Sequence, residues 1–406
     1  CIIIAPVISS EEGKQLMNEQ TYQPGFLELT VLSGILKDPV IAAFRTYRNG
    51  DLSARAAFLH ELFEHGAENN FAEYVKEAVV ADENAFSRAC AAGGNISPYL
   101  KRAYICDLTE IGRALEFSSP DFYMGKPSAP LMSWDEKAAN LLYSYYQSSG
   151  YGKFISSAEF CWTAEDELVP VRTPSALSLS DLKGYEHEKA QVYDNLENFV
   201  RGLPYSDMLL YGDRGTGKSS TVHAMVKNFF PQKLRLVEIA KENVGHLPKL
   251  KSYLSAIPLR FLVFIDDFSL SEHDDRISSL KTALQGSAEG HADNVMIVAT
   301  SNRRHIVEES VSARENSMHR EENEQELLSL SDRFGITVLF SATNKEEYLG
   351  IVRALCTEEG LLLSGTALDA IAERWALLRG GRSPRRARQL VDYLIARQKK
   401  DKPIEL

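Results

Sequence analysis

Cysteine is scarce: five in 406 residues, Cys1, Cys90, Cys106, Cys161 and Cys356, an odd number with no Cys-x-x-Cys pair and no histidine at zinc-finger spacing. That excludes a disulfide-built fold and a zinc module, and it leaves the thiols to packing roles. Long apolar runs are missing as well. No stretch approaches the roughly 18 residues that a membrane-crossing helix needs, so no membrane partner is expected. The opening Cys1–Ile8 has neither a basic lead nor a cleavage pattern, which points to the cytoplasm, while the missing initiator Met leaves room for residues before Cys1.

Basic charge is also in short supply. Lys and Arg number 45 against 56 Asp and Glu, a net charge of −11, and the deficit lies in front: residues 1–170 carry 13 basic against 23 acidic side chains, residues 171–406 carry 32 against 33. Such a chain does not advertise bulk binding to nucleic acid or anionic lipid; a protein or a small anion is the expected partner. With only 15 Pro and 25 Gly, collagen-like and low-complexity readings fall away, and a 44% hydrophobic content suffices for two or three packed domains.

What is present changes texture along the chain. In the front part, stretches such as Ala56–Phe63 and Ala138–Tyr146 repeat apolar residues every three or four positions, the spacing of amphipathic helices. Val169-Pro170-Val171-Arg172-Thr173-Pro174 reads as a linker, so residues 1–170 are expected to form a mainly helical N-terminal domain. Beyond it, apolar strands alternate with helical stretches: Met208–Tyr211, Leu234–Ile239, Phe261–Asp266, Val295–Thr300 and Ile336–Phe340. Such alternation predicts an α/β core over 171–343, with a parallel five-stranded sheet covered on both faces. Residues 307–326, polar and poor in apolar anchors, read as a mobile insertion or an exposed helix, and residues 344–406 as a C-terminal helical lid.

Chemistry concentrates in Gly212-Asp213-Arg214-Gly215-Thr216-Gly217-Lys218-Ser219, which follows the strand Met208–Tyr211 and runs through Ser220 into a helix. A Gly-x-x-x-x-Gly-Lys-Ser loop in that setting wraps backbone N–H groups around a phosphate chain, sends the lysine to the outer phosphates and offers the serine hydroxyl to Mg²⁺. The strand ending in Asp266-Asp267 supplies a second metal-side carboxylate, Asp266, and a carboxylate, Asp267, to orient or deprotonate water. A third apolar strand, Val295–Thr300, leads to Asn302, whose amide suits a place between the attacking water and the γ-phosphate. Arg333 precedes the last strand, and the tail holds five arginines between Arg379 and Arg388, Arg382 and Arg385 among them. An arginine near the γ-phosphate stabilises charge in the transition state.

In this order, Gly212–Ser219, Asp266-Asp267, Asn302, Arg333 and Arg382 resemble Walker A, Walker B, sensor 1, the arginine finger and sensor 2 of AAA+ ATPases. Ser180–Glu186, with Leu182, Gly184 and Tyr185, resembles the segment that closes over adenine. More narrowly, Gly184-Tyr185-Glu186, Tyr211–Ser220, Ala299–His305 and Ser329–Gly335 are similar to a bacterial family of predicted AAA+ ATPases known only as a domain of unknown function. The resemblance covers about residues 175–398 and implies a P-loop NTPase fold, ATP (or ADP) and Mg²⁺ as ligands, and a homo-oligomer whose sites are completed by Arg333 of a neighbour. Two departures stand out. The acid pair is Asp-Asp where Asp-Glu is usual, which sets Asp267 about one methylene further from the water; and Arg385, three residues beyond Arg382, is close enough on a helix face to take the sensor 2 role.

The client is expected to be a protein engaged by the acidic front domain. The alternative is an ATP-gated DNA-associated factor resembling helicase loaders or transposition helpers, kept alive by the arginine-rich tail and by Arg303-Arg304-His305; a third reading is a switch that holds ATP without useful turnover. Glu272-His273-Asp274-Asp275 reads as a solvated turn, because consecutive loop residues seldom converge on one ion.

Overall fold

The computed structural model describes residues 29–48, 54–116, 121–268, 270–271, 284, 293–302, 307–308, 333–361, 363, 365–400 and 402–404. Contacts divide the chain into two compact units, Cys1–Gln147 and Ser148–Leu406. Among the described residues, no helix is long and apolar enough to cross a membrane.

The first unit is built from helices α1 (Pro39–Arg48), α2 (Ala54–Glu64), α3 (Phe71–Ala81), α4 (Ala85–Ala91), α5 (Pro98–Leu115) and most of α6 (Glu136–Ser149). Asparagines start two of them. The Asn70 side chain accepts the Glu73 N–H at 3.2 Å, and Asn84 exchanges bonds with Ser87 in a capping box, satisfying N–H groups that a helix start leaves without partners. The Phe58 ring lies 5.3 Å from Phe44, 5.7 Å from Phe71 and 5.3 Å from Phe122, an aromatic centre between helices. The buried carboxylate of Asp107 accepts the backbone N–H groups of Thr30, Val31 and Leu32.

The second unit carries a sheet of seven strands, not five: β1 (Glu159–Trp162), β2 (Leu168–Pro170), β3 (Met208–Gly212), β4 (Leu234–Ile239), β5 (Arg260–Ile265), β7 (Val295–Ser301) and β9 (Ile336–Phe340), in the order β2-β1-β4-β5-β7-β3-β9. A separate two-residue ladder pairs β6 (Leu270–Ser271) with β8 (Val307–Glu308). The five expected strands are all there and pair in parallel. The addition is a hairpin from the stretch read as helical front and linker: β1 pairs in parallel with β4, and β2 antiparallel with β1, which makes the sheet mixed. Strands of four and three residues are too short for an alternation signal, and Pro170 is tolerated because β2 is the edge. The unit with the sheet therefore begins at Ser148, well before the boundary expected at 170.

The central strands are near-continuous apolar runs because helices cover both faces; every residue of β7 is buried. Flanking helices include α8 (Glu186–Arg201), α9 (Lys218–Phe229) and α10 (Leu247–Ser255), with a single turn α7 (Lys153–Ser156) before β1. On β1 the buried Glu159 places Oε1 3.2 Å from His223 Nδ1 of α9, and that carboxylate raises the imidazole pKa above its ordinary value. Helices α11 (Lys345–Glu358), α12 (Gly365–Leu378) and α13 (Pro384–Lys399) follow, with an apolar core of their own around Tyr348, Val352, Ala372, Trp375, Leu390 and Val391.

One buried cation ties the added hairpin's approach to the sheet. Arg235 of β4 is 0% exposed; its Nε donates to the Phe154 carbonyl at 2.7 Å, Nη1 to those of Phe230 and Leu234 at 3.0 and 2.8 Å, and Nη2 to that of Ser149 at 2.8 Å. The guanidinium carbon also lies 3.9 Å from the Phe230 ring centre. Removing the donors would strand buried carbonyls at about 1–3 kcal/mol each. Arg235→Met is therefore expected to lower the stability of this unit by about 3 kcal/mol or more in urea unfolding, and a loss below about 1 kcal/mol would contradict the anchoring role.

Candidate functional site

The strand order places β7 between β5 and β3, so the chain leaving each of these three strands emerges at the same edge of the sheet. Ile265 of β5 is in register with Ala299 of β7, and Tyr211 of β3 with Ser301. The loop Gly212–Gly217, the pair Asp266-Asp267 and Asn302 therefore meet outside the carboxyl ends of adjacent strands, the position where open α/β sheets bind ligands.

The loop bends as its glycines permit. Gly212, at φ +130°, presses against β9 so closely that a Cβ there would lie 2.2 Å from the Phe340 carbonyl oxygen, and Gly215 and Gly217 are also left-handed, at φ +79° and +98°. Asp213 fixes the turn with its N–H on the Phe340 carbonyl at 3.1 Å and its carboxylate on the Ala342 N–H at 2.8 Å. Thr216 donates its hydroxyl to the Asp213 carbonyl at 2.9 Å, while Arg214 is exposed. At the start of α9 the Lys218 side chain is 7% exposed and turns back into the loop. Its Nζ donates to the carbonyls of Gly212 and Asp213 at 2.9 and 2.8 Å and to Asn302 Oδ1 at 3.2 Å. Burial lowers its pKa, against the opposing pull of Asp213, Asp266 and Asp267.

The side chains of the two acids have different partners, and Thr300 is bonded to both residues. Asp266 Oδ1 accepts the Ser219 hydroxyl at 2.6 Å and the Thr300 hydroxyl at 2.5 Å. Asp267 adopts a left-handed φ of +46°, uncommon for a residue with a side chain; its N–H donates to Thr300 Oγ1 at 2.9 Å and its Oδ1 accepts from Asn302 Nδ2 at 2.5 Å. Lys218, Asn302 and Asp267 thus form one chain of contacts, and Ser219, Asp266 and Thr300 another.

Beside the loop opens a cleft of about 680 Å³, lined by Leu182, Gly184, Tyr185, Gly215, Thr216, Gly217, Ser220, Ile351, Arg385 and Arg388 among others. Lys189 of α8 secures its far wall by donating to the Leu182 carbonyl at 2.7 Å, and the Tyr185 hydroxyl donates to the Ser341 carbonyl at 2.5 Å. The start of α13 closes on the loop: Arg385 N–H donates to the Gly215 carbonyl at 3.2 Å, and a Cβ on Gly215 would come within 3.1 Å of Ser383 Oγ. Arg382 does not reach the cleft. It precedes the helix, which begins at Pro384, so it shares no helix face with Arg385; its guanidinium grips both oxygens of Glu373, at 2.9 and 2.8 Å, and that contact raises its pKa.

Arg333 lies at the opposite edge of the sheet, ahead of β9 by three residues, whereas the loop meets the end of that strand at Phe340. At ~3.3 Å per residue, β9 alone separates the two by about 13 Å. Its Nη1 is buried without a hydrogen-bond partner among the described residues. Arg303-Arg304-His305, Glu272-His273-Asp274-Asp275 and most of 307–326 lie outside the described residues. Two side chains that sequence reasoning left out belong here. Thr300 lies on β7, two residues before Asn302, which follows the strand, and Arg388, which also contacts Glu359 at 2.8 Å and Asp392 at 3.1 Å, is one helical turn beyond Arg385.

Solved structures with similarity include the Thermotoga maritima RuvB Holliday junction branch migration motor, at 18% identity over 55% of this chain and 66% of that one, with a TM-score of 0.39. The FIGL-1 AAA domain in complex with ADP is similar at 21% identity over 56% of this chain and 76% of that one, TM-score 0.39. The Aeropyrum pernix ORC1 protein in complex with DNA is similar at 15% identity over 55% and 63%, TM-score 0.39. This chain thus spans just under two thirds of the length of RuvB and ORC1. No curated protein matches. A family model, in contrast, matches residues 156–398, a span that takes in β1, the loop, both acids, Asn302, Arg333 and α13. With an α/β fold, a mixed sheet of seven strands and flanking helices, the chain belongs to the family described as "Protein of unknown function (DUF815)".

Proposed function

We propose that this chain is a magnesium-dependent ATP hydrolase of AAA+ type. The observation that carries the reading is the Lys218–Asn302–Asp267 chain beside the Ser219–Asp266–Thr300 chain, which brings a buried cation, two carboxylates and an amide to one sheet edge. The donor set fits a nucleotide and its metal. A buried ammonium satisfied by carbonyl dipoles gains from the full negative charge of a phosphate chain, and the loop's left-handed glycines admit that chain close to the backbone. Mg-ATP, when bound, supplies the transferable γ-phosphoryl group. Lys218 would hold the outer phosphates, Ser219 and Asp266 the metal, and the cleft from Leu182 to Ile351 the base and ribose. Asp267 takes the proton of the attacking water on its carboxylate, and Asn302, already bonded to it, orients that water. Arg385, seated on the loop, is the better placed of the two tail arginines to face phosphate, with Arg382 holding α13 through Glu373.

Two substitutions separate binding from chemistry. Lys218→Ala should abolish binding of a fluorescent ATP analogue while the circular dichroism stays unchanged; Asp267→Asn should bind Mg-ATP but release phosphate about 10²–10⁴-fold more slowly. Unaltered ATP affinity in the lysine variant would sink this reading.

Arg333 cannot reach its own loop, which supports a site completed in trans by a second copy. The acidity of the front unit supports a protein client. A DNA-associated role is the second reading, and it is the one that goes with the RuvB motor and the DNA-bound ORC1 protein. One experiment addresses both points: turnover per subunit measured against protein concentration, with and without single-stranded DNA. Turnover should rise with concentration and fall about 10³-fold in Arg333→Ala; turnover independent of concentration would rule out the trans arrangement. Stimulation by DNA selects the second partner reading, and its absence selects the protein client.

A further inference from the structure

Thr300 has a place in this site that neither its sequence context nor the family description gives it. It is 1% exposed on β7, in register with Leu210 of β3 on one side and one residue past the last β5–β7 pair, Ile265 with Ala299, on the other. Its branched side chain has little rotamer freedom, so the hydroxyl cannot wander. That hydroxyl does two things at once: it donates to Asp266 Oδ1 at 2.5 Å and accepts the Asp267 N–H at 2.9 Å. The Thr300 carbonyl takes a third bond, from the Phe268 N–H at 2.7 Å. Three consecutive residues leaving β5 are therefore clamped by one residue of β7, and the middle one, Asp267, is the residue held at φ +46°.

A backbone conformation that a side chain disfavours persists only where its surroundings over-determine it, and the Thr300 hydroxyl meets the very N–H that this turn presents. On the acid side, the Thr300 and Ser219 hydroxyls both approach Oδ1 of Asp266, so the two together decide which way the carboxylate faces. Resting on the proposed function above, we infer that Thr300 is a positioning residue for the metal: through its hydroxyl it presents Asp266 to Mg²⁺ and, through the same oxygen, sets the backbone from which Asp267 reaches water. It touches neither nucleotide nor water itself. Groups that orient a metal ligand commonly contribute 10–100-fold in metal affinity or activity.

The test uses Thr300→Val, which keeps the shape and removes the hydroxyl, and Thr300→Ser, which keeps the hydroxyl. Binding of a fluorescent ATP analogue is titrated with Mg²⁺, and the affinity without Mg²⁺ is measured alongside. Thr300→Val should need about tenfold or more Mg²⁺ for half-maximal binding, with the metal-free affinity unchanged, and Thr300→Ser should return the Mg²⁺ requirement to near that of the unaltered chain. A residue that only packs the core would lower the melting temperature without moving the Mg²⁺ titration. Should Thr300→Val lose its native circular dichroism, Thr300→Ala is read in its place. An unchanged Mg²⁺ requirement in the hydroxyl-less variant, or equal impairment of the serine variant, overturns the inference while leaving the ATPase reading standing. Failure of the unaltered chain to bind the analogue at any Mg²⁺ concentration overturns the ATPase reading itself.

Discussion

The site depends on β7 lying between β3 and β5. With that order, the loop after β3, the acids after β5 and the amide after β7 cannot avoid one another: β7 lies one strand spacing, about 4.8 Å, from each neighbour, and only the Ser219–Asp266 bond passes over it. Lys218 reaches across to Asn302, Ser219 to Asp266, and Thr300 to both acids. Moving Thr300 one position along β7 would turn its side chain to the other face of the sheet, so register fixes its place as firmly as residue type does.

The buried ammonium shows why such a site would respond to an anion. Lys218 lies in a place where burial works against its charge, and the partners it finds there are carbonyl and amide dipoles with three carboxylates further off. Dipoles stabilise a buried cation less than a full opposite charge does. An anion entering the loop would draw Nζ from the carbonyls, and with it the contact that ties Asn302 and Asp267 to the loop. Three residues before Lys218, the Gly215 carbonyl holds the start of α13 through the Arg385 N–H, so the loop that carries Lys218 and the C-terminal helices are joined by a backbone bond.

The central strands and the loop were legible in the sequence because each announces itself locally: an apolar run of five or six residues ends in a polar group with an obvious chemical use, as Phe261–Ile265 does before Asp266-Asp267. The hairpin of β1 and β2 was not, since Glu159–Trp162 and Leu168–Pro170 are too short to show a period and place a buried carboxylate where a strand signal would want an apolar residue. The choice between Arg382 and Arg385 was open for a different reason. It turns on where a helix starts, and Ser383 capping the Arg386 N–H at 3.3 Å is a contact that spacing alone does not reveal. Thr300 escaped notice because a threonine in a buried strand is ordinary by composition; only the two atoms that its hydroxyl meets distinguish it.

The central claim is that the three strand ends and the start of α13 enclose a magnesium–nucleotide site, and a crystal structure with a non-hydrolysable ATP analogue and Mg²⁺ tests it most directly. The account predicts the triphosphate in the Gly212–Gly217 loop, Lys218 Nζ moved from the Gly212 carbonyl to phosphate oxygen, the ion beside Ser219 and Asp266, and Arg385 turned to the phosphates with Arg382 still on Glu373. A nucleotide bound elsewhere, or a loop that stays closed on Lys218 at saturating analogue, would contradict it.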